Sequence, residues 1–152
     1  MATRANSYLH PAPVLVGVDG SASSKEALAW AARYAGLLGA QLEVVIVWHL
    51  PPAIGWETPL PTEWSPEEDA RSVLEAEVEE VLGTAHPSET TLVVLEGPPA
   101  KVLIERAHSA SVVVAGSRGR GHVAGMLLGS VSEALARHAP CPVVVVRHGS
   151  EG

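Results

Sequence analysis

Cysteine is nearly absent from this 152-residue chain, which contains Cys141 alone. Because one cysteine cannot form an intramolecular disulfide, a reducing cytoplasm is the expected compartment. Basic residues are also scarce: ten Lys and Arg stand against seventeen Asp and Glu, for a formal net charge of −7. Nucleic-acid binding needs a basic face, so this balance argues against a nucleic-acid partner.

Long hydrophobic runs are missing as well. The opening stretch MATRANSYLHPAP lacks the apolar segment of a secretory signal. No apolar run approaches the roughly 20 residues that a bilayer crossing requires. We therefore expect a soluble cytoplasmic protein with no membrane partner. Its apolar content of 47% is enough to build the core of one domain.

Short apolar runs alternate with helical patterns along the chain. The runs predicted as strands are residues 13–18, 41–48, 90–95, 111–115 and 142–147. The segments predicted as helices are residues 24–38, 66–82, 100–109 and 131–139. This alternation predicts an α/β fold with one parallel open sheet and helices on both faces. Residues 49–65, which are rich in proline, are expected to form a loop.

Two local predictions concern the first two helices. Ser23 and Glu26 have the spacing of a capping box, which predicts that the first helix starts near Ser24. The second helix combines an apolar stripe with a run of glutamates. We interpret that run as a solvent-facing surface rather than a metal site; it comprises Glu75, Glu77, Glu79 and Glu80.

The most informative stretch is GSRGRGHVAGMLLGSVS, residues 116–132, between the fourth strand and the last helix. It holds glycines at 116, 119, 121, 125 and 129. A glycine-rich loop that ends on a serine at a helix start is suited to an anion, most plausibly a phosphate. Ser130 is also compatible with a simple N-cap, and Arg118 and Arg120 with solvated loop charges.

Asp19 follows the first predicted strand. In an open α/β sheet, ligands bind beyond the carboxyl ends of the strands, where the strand order reverses. If the first and fourth strands are neighbours at that point, Asp19 and the glycine loop face one cleft and form a nucleotide site. The alternative is that Asp19 only makes an Asx turn into the first helix.

Two other nucleotide motifs are excluded. The lysine-bearing phosphate loop is absent, because the only lysines are Lys25 and Lys101, both in predicted helices. A GxGxxA string at Gly119, Gly121 and Ala124 resembles a dinucleotide fingerprint. It lacks an acidic residue about 20 positions further on and does not open a helix directly, so we discard it.

A metal site is not predicted either. His138, Cys141 and His148 are close in sequence, but their spacing is irregular and two prolines stiffen the path between them. A buried packing role is the better interpretation of Cys141.

The spacing G-x2-G-x9-G-[ST] is met by Gly116, Gly119, Gly129 and Ser130. Together with GVDGS near the start and HAPCPVVVVR near the end, it closely resembles a universal stress protein domain of the ATP-binding type. The resemblance covers residues 13–148 and leaves residues 1–12 and 149–152 as flexible tails. It implies a five-stranded sheet in the order 3-2-1-4-5, as in adenine nucleotide alpha hydrolase-like folds.

The resemblance also assigns site residues. Asp19 and the backbone around Gly17 would lie at the adenosine end, and the backbone of Val47 would contact adenine. The residues around the ribose and phosphates would be Gly116, Ser117, Arg118, Gly119, Arg120, Gly121 and His122. The phosphates would be held at the helix start by Gly129, Ser130, Val131 and Ser132. The implied ligand is ATP, with Mg²⁺ or Mn²⁺ as the accompanying ion.

The sequence departs from the pattern of this family at two positions, and the resemblance also implies a partner. Ile46 stands where many relatives have His, and Ser111 stands where Asp is common. The family implies a homodimer made through the last strand. Val143–Val146 supply a physical counterpart, since an apolar edge strand is a liability unless it is paired.

Three functions are open at this level. The favoured one is an ATP-binding regulatory or signalling module of the stress response. The second is a slow ATPase, for which the loop offers Arg118 and Arg120 but no positioned base, since Glu133 follows at an undetermined angle. The third is a dimeric scaffold that uses no nucleotide, against which the intact glycine pattern argues.

Overall fold

The computed structural model describes residues 11–50, 62–87, 89–119 and 125–149. Five strands alternate with four helices, as the sequence predicts. The strands are β1 (Val14–Val18), β2 (Leu42–Trp48), β3 (Thr90–Glu96), β4 (Val112–Gly116) and β5 (Val143–Val146). The helices are α1 (Ala22–Leu38), α2 (Pro66–Leu82), α3 (Pro99–Ala107) and α4 (Ser130–His138).

The strands form one parallel sheet in the order β3-β2-β1-β4-β5, which confirms the predicted order. β1 is the central strand and pairs with β2 on one side and with β4 on the other. The chain order reverses between β1 and β4, so the loops that follow these two strands leave the sheet side by side.

The apolar side chains form two core clusters, one on each face of the sheet. Val14, Val16 and Val18 of β1 pack in the cluster that contains residues of α1 and α2. Leu15 points the opposite way and packs in the cluster that contains Leu103 of α3 and Leu135 of α4. This alternation along a strand confirms that helices cover both faces.

α1 begins earlier than the capping-box pattern predicts. Its N-cap is Ser21, whose side chain accepts a hydrogen bond from the Ser24 backbone N–H. The prediction that Ser23 caps the helix is wrong, because Ser23 is buried against β4. A Cβ added to Gly116 would lie 2.7 Å from the carbonyl carbon of Ser23. Glycine at 116 is therefore what lets the start of α1 approach the end of β4.

β5, Cys141 and the helices are each expected to have a role in packing or in contacts with partners. Val143–Val146 are all half-buried in β5, which lies at one end of the sheet order. Cys141 packs against the second core cluster as predicted, but it is half-buried rather than buried. Within the ranges given above, none of the helices combines the length and apolarity that crossing a membrane demands.

Candidate functional site

A cavity of about 400 Å³ opens at the carboxyl ends of β1 and β4. Its volume lies in the range of small-molecule sites. It brings together ten of the residues predicted for the site: Gly17, Asp19, Val47, Gly116, Arg118, Gly119, Gly129, Ser130, Val131 and Ser132. Arg120, Gly121 and His122 lie outside the described residues.

The two loops meet where Gly119 passes Asp19. A Cβ added to Gly119 would lie 2.8 Å from Oδ2 of Asp19, closer than carbon and oxygen normally approach. A second contact joins the loops, since the Ser21 hydroxyl donates to the Arg118 carbonyl at 3.4 Å. Asp19 and the glycine loop therefore face one cleft, as expected if β1 and β4 are neighbours.

Ser117 holds the glycine loop to the sheet and to α4. Its N–H donates to the Val146 carbonyl at 2.8 Å, and its carbonyl accepts from the Gly129 N–H at 2.6 Å. The Ser132 hydroxyl donates to the same carbonyl at 3.2 Å. Ser117 is 5% exposed and does not line the cavity, so its role in the structure is to position the loop rather than to form the cavity wall.

The N-terminus of α4 opens onto the cavity. Its N-cap is Gly129, and no side chain caps the first turn, so the interpretation of Ser130 as an N-cap is wrong. The first N–H groups of a helix have no partner within the helix and carry partial positive charge. Ser130, Val131 and Ser132, which form that first turn, all line the cavity. This arrangement fits an anion.

Asp19 does make the Asx turn that was the alternative to a ligand role. Its Oδ1 accepts from the Ser21 N–H at 2.9 Å. The turn and the ligand role are compatible, because the same side chain lines the cavity. The Asx turn orients the carboxylate, and Oδ2 faces Gly119.

Val47 and Ile46 lie on opposite faces of β2. Val47 lines the cavity and packs against the second core cluster, whereas Ile46 is buried in the first. The replacement of the common His by Ile46 therefore changes the face of β2 that turns away from this cavity.

Acidic and metal-binding groups are few at the site. Asp19 is the one carboxylate among the described residues that line the cavity. Glu133 is half exposed and pairs with Arg137 at 3.1 Å on the surface of α4. In the ranges that the structure covers, no three His, Cys, Asp or Glu side chains are grouped as metal ligands.

Glu77 is the buried polar residue beside the site that sequence reasoning missed. The prediction that it faces solvent is wrong: it is 2% exposed, whereas Glu75, Glu79 and Glu80 are exposed as predicted. Its Oε2 accepts from the Gly20 N–H at 2.8 Å, and its Oε1 accepts from the Ser24 hydroxyl at 2.6 Å. The Ser24 oxygen in turn accepts from the Asp19 N–H at 3.0 Å.

A signal for Glu77 is present in the sequence. Ala70, Leu74, Glu77 and Val81 are spaced by four, three and four residues, which places Glu77 on the apolar stripe of α2. A carboxylate on that stripe must find polar partners inside the protein. The partners are more than 50 residues away in the chain and could not be identified from spacing alone.

Burial raises the pKa of Glu77 above its ordinary value of 4.5. The hydrogen bonds from Ser24 and Gly20 act in the opposite direction, because they favour the charged carboxylate. Of the nearby charges, Asp19 raises this pKa and Lys25 lowers it. The net result is a carboxyl group that holds its proton more tightly in the folded protein than in the unfolded chain.

Comparisons with known proteins agree with one another. A sequence model of the universal stress protein family matches residues 12–147. Universal stress protein Rv2623 of Mycobacterium tuberculosis is 38% identical over 141 residues, which cover 91% of this chain and 46% of that protein. A universal stress protein of Mycolicibacterium smegmatis is 38% identical over 148 residues, or 91% of this chain and 48% of its own length. The chain thus spans about half the length of these curated relatives.

Solved structures show the same fold. A universal stress protein in complex with cAMP superimposes with a TM-score of 0.68 and 26% identity, over 90% of this chain and 97% of that one. A universal stress protein from Archaeoglobus fulgidus has a TM-score of 0.70 and 23% identity, over 90% and 98% of the two chains. The second likeness bears on the fold alone.

The pKa of Glu77 predicts a pH dependence of folding. Because the folded protein binds this proton more tightly, the Glu77 contribution to the free energy of unfolding is largest below pH 4.5. It falls as the pH rises from there through the raised pKa. In Glu77→Gln that slope should be missing. The free energy of unfolding of the wild type minus that of the variant should therefore fall as the pH rises.

Urea unfolding of both proteins across this pH range measures the difference. Glu75→Gln is the matched control, since Glu75 is an exposed glutamate of the same helix. Its curve should run parallel to that of the wild type. If the free energy of unfolding of Glu77→Gln also ran parallel to that of the wild type across this pH range, the raised pKa of Glu77 would be contradicted.

Proposed function

This chain belongs to the universal stress protein family, and from that premise we propose that it binds ATP in the cavity between β1 and β4. The observation that carries the proposal is that Asp19, the glycine loop and the uncapped start of α4 line a single cavity. We propose that the bound nucleotide makes the protein a regulatory or signalling module of the stress response, located in the cytoplasm.

Each wall of the cavity has a part in this proposal. The carboxylate of Asp19 and the backbone around Gly17 would bind the adenosine end, with the backbone of Val47 against adenine. The N–H groups of the first turn of α4, which begins at Ser130, would bind phosphates. Gly129 precedes this turn as the N-cap and would lie next to the phosphates. The residues proposed around the ribose and phosphates are Gly116, Arg118, Gly119, Arg120, Gly121 and His122, and Ser117 would position the loop that carries them.

An adenine nucleotide is supported by the relative of known structure that holds cAMP. That protein is 26% identical to this chain, and the two superimpose over nearly their whole lengths. The proposal of ATP, which has three phosphates where cAMP has one, rests on this chain's own residues. The start of α4 offers phosphate-binding N–H groups, and a cavity of about 400 Å³ provides the room.

A divalent ion fits the site only together with the nucleotide. No cluster of three potential protein ligands occurs among the residues that are described. Mg²⁺ or Mn²⁺ would therefore be bound mainly by phosphate oxygens, as is common for Mg²⁺ in nucleotide sites. Glu133 pairs with Arg137 on the surface of α4 and does not line the cavity, so we propose binding rather than hydrolysis.

We further propose a homodimer through β5. The Pro142 carbonyl accepts a hydrogen bond from Val113 of β4, and the Val146 carbonyl accepts one from Ser117, the residue after β4. Since backbone groups alternate along a strand, the N–H and C=O of Val145 point away from β4, toward the open edge. Pairing with a second copy would satisfy these groups and cover the half-buried valines of β5.

Isothermal titration calorimetry with ATP, ADP, AMP and GTP tests the nucleotide proposal. We expect saturable heat with the adenine nucleotides and weaker binding of GTP. Gly129→Val should weaken ATP binding about tenfold or more, because its side chain adds volume beside Arg118 at the phosphate end. The conformation of Gly129 is extended, so valine fits the backbone there.

Gly36→Ala is the control for that titration. Gly36 is an exposed residue of α1, and a Cβ there would meet nothing within 4 Å. Its ATP affinity should equal that of the wild type. Absence of heat with every adenine nucleotide, or unchanged affinity in Gly129→Val, would refute the proposal.

Val145→Pro tests the dimer. Proline removes the N–H that faces the open edge and leaves the β4 ladder intact. The dissociation constant of the dimer, measured by sedimentation equilibrium, should therefore rise about tenfold or more. Val145→Thr keeps the N–H and the branched shape and should leave that constant near the wild-type value. A monomeric wild type, or a Val145→Pro dimer as tight as the wild type, would contradict this interface.

A further inference from the structure

Glu77 connects α2 to the loop that carries Asp19. Its two carboxylate oxygens accept from the Gly20 N–H at 2.8 Å and from the Ser24 hydroxyl at 2.6 Å. Through Ser24, which accepts from the Asp19 N–H at 3.0 Å, the same carboxylate fixes a second consecutive peptide group. One side chain of α2 thus holds the peptide groups on both sides of the Asp19 α-carbon.

This network needs two acceptors at once. Both oxygens of an ionised carboxylate accept hydrogen bonds, whereas a glutamine amide has one acceptor and one donor group. With the Ser24 proton directed to Glu77, the Ser24 oxygen is free to accept from Asp19. An amide at position 77 would leave one of the two donors without its acceptor.

The buried charge is costly. Glu77 is 2% exposed, and both of its hydrogen bonds come from neutral groups. Lys25, whose charge lowers the pKa of Glu77, is paired with Glu80 at 2.8 Å. Buried carboxylates without an ion-pair partner reduce stability, so a residue serving packing alone would more cheaply be apolar. A buried ionisable group hydrogen-bonded to the loop that lines the cavity points to a role in that site.

We propose that Glu77 is a positioning residue for nucleoside recognition. Its carboxylate holds the Asp19–Gly20 backbone so that the Asp19 side chain faces the cavity. This inference rests on the proposed function, since it assigns Asp19 to the adenosine end of the ligand. Its hydrogen bonds reach the β1–α1 side of the site and not Gly129 or the first turn of α4.

The proposal therefore separates the two ends of the nucleotide. Loss of the Glu77 carboxylate should weaken the nucleoside end and leave the contribution of the β- and γ-phosphates unchanged. Consequently, the affinities for AMP and ATP should fall by the same factor, and their ratio should stay at the wild-type value.

Calorimetric titration of the full chain with AMP and with ATP measures both quantities. In Glu77→Gln both dissociation constants should rise about tenfold, because Asp19 would no longer be held toward the nucleoside and about one charged hydrogen bond to the ligand would be lost. Glu75→Gln, the same substitution on the exposed face of α2, should bind both nucleotides like the wild type. Ser24→Ala keeps Glu77 but removes its link to Asp19. It should raise the dissociation constants for AMP and ATP by the same factor.

The Gly20 amide provides a reporter that needs no ligand. Its proton resonance should shift, and its hydrogen exchange should become faster, in Glu77→Gln but not in Glu75→Gln. If Glu77→Gln fails to fold, Ser24→Ala decides the question by the same titrations.

The outcomes are distinct. Affinities within twofold of wild type in Glu77→Gln and Ser24→Ala would overturn this inference while leaving the nucleotide site in place. A changed ratio of AMP to ATP affinity would also overturn it, because Glu77 would then act on the phosphates. A wild-type protein that binds neither nucleotide would instead refute the proposed function, and this inference would fall with it.

Discussion

The close approach of two loops at the centre of the sheet is the constraint on which the site depends. A side chain at position 116 would collide with the backbone of Ser23, and one at position 119 would collide with the Asp19 carboxylate. Both positions are glycine, so the start of α1 and the loop after β4 can share one cavity. The arrangement requires β1 and β4 to be neighbours, which the order β3-β2-β1-β4-β5 provides.

The stability of the fold and the proposed binding role make opposing demands on the loop after β1. The hydrophobic clusters on the two faces place the strands but do not determine the conformation of Asp19 and Gly20. That conformation is held by Asx, N-cap and carboxyl hydrogen bonds, the last of which place the Glu77 side chain in the interior. Proteins commonly accept such a local cost where a ligand must be oriented.

Much of this architecture could be predicted from the sequence, because buried parallel strands are continuous apolar runs and the helices have clear periodicity. The strand order came from the family resemblance rather than from the pattern itself. Details that depend on tertiary contacts were wrong: Ser23 packs against β4 instead of capping α1, and Gly129 rather than Ser130 is the N-cap of α4. Glu77 was misassigned because an acidic run suggests a solvated face, and its partners come from another helix. The domain limits, the homodimer and the individual ligand contacts stay predictions.

In the proposed function, the ends of β1 and β4 bind one nucleotide together. The most direct test is to follow the backbone amide resonances of the isotope-labelled protein during a titration with ATP. The amides of Asp19, Gly119 and Ser130 should shift along a single saturation curve. Shifts confined to one of the two loops, or saturation at different ATP concentrations, would contradict it.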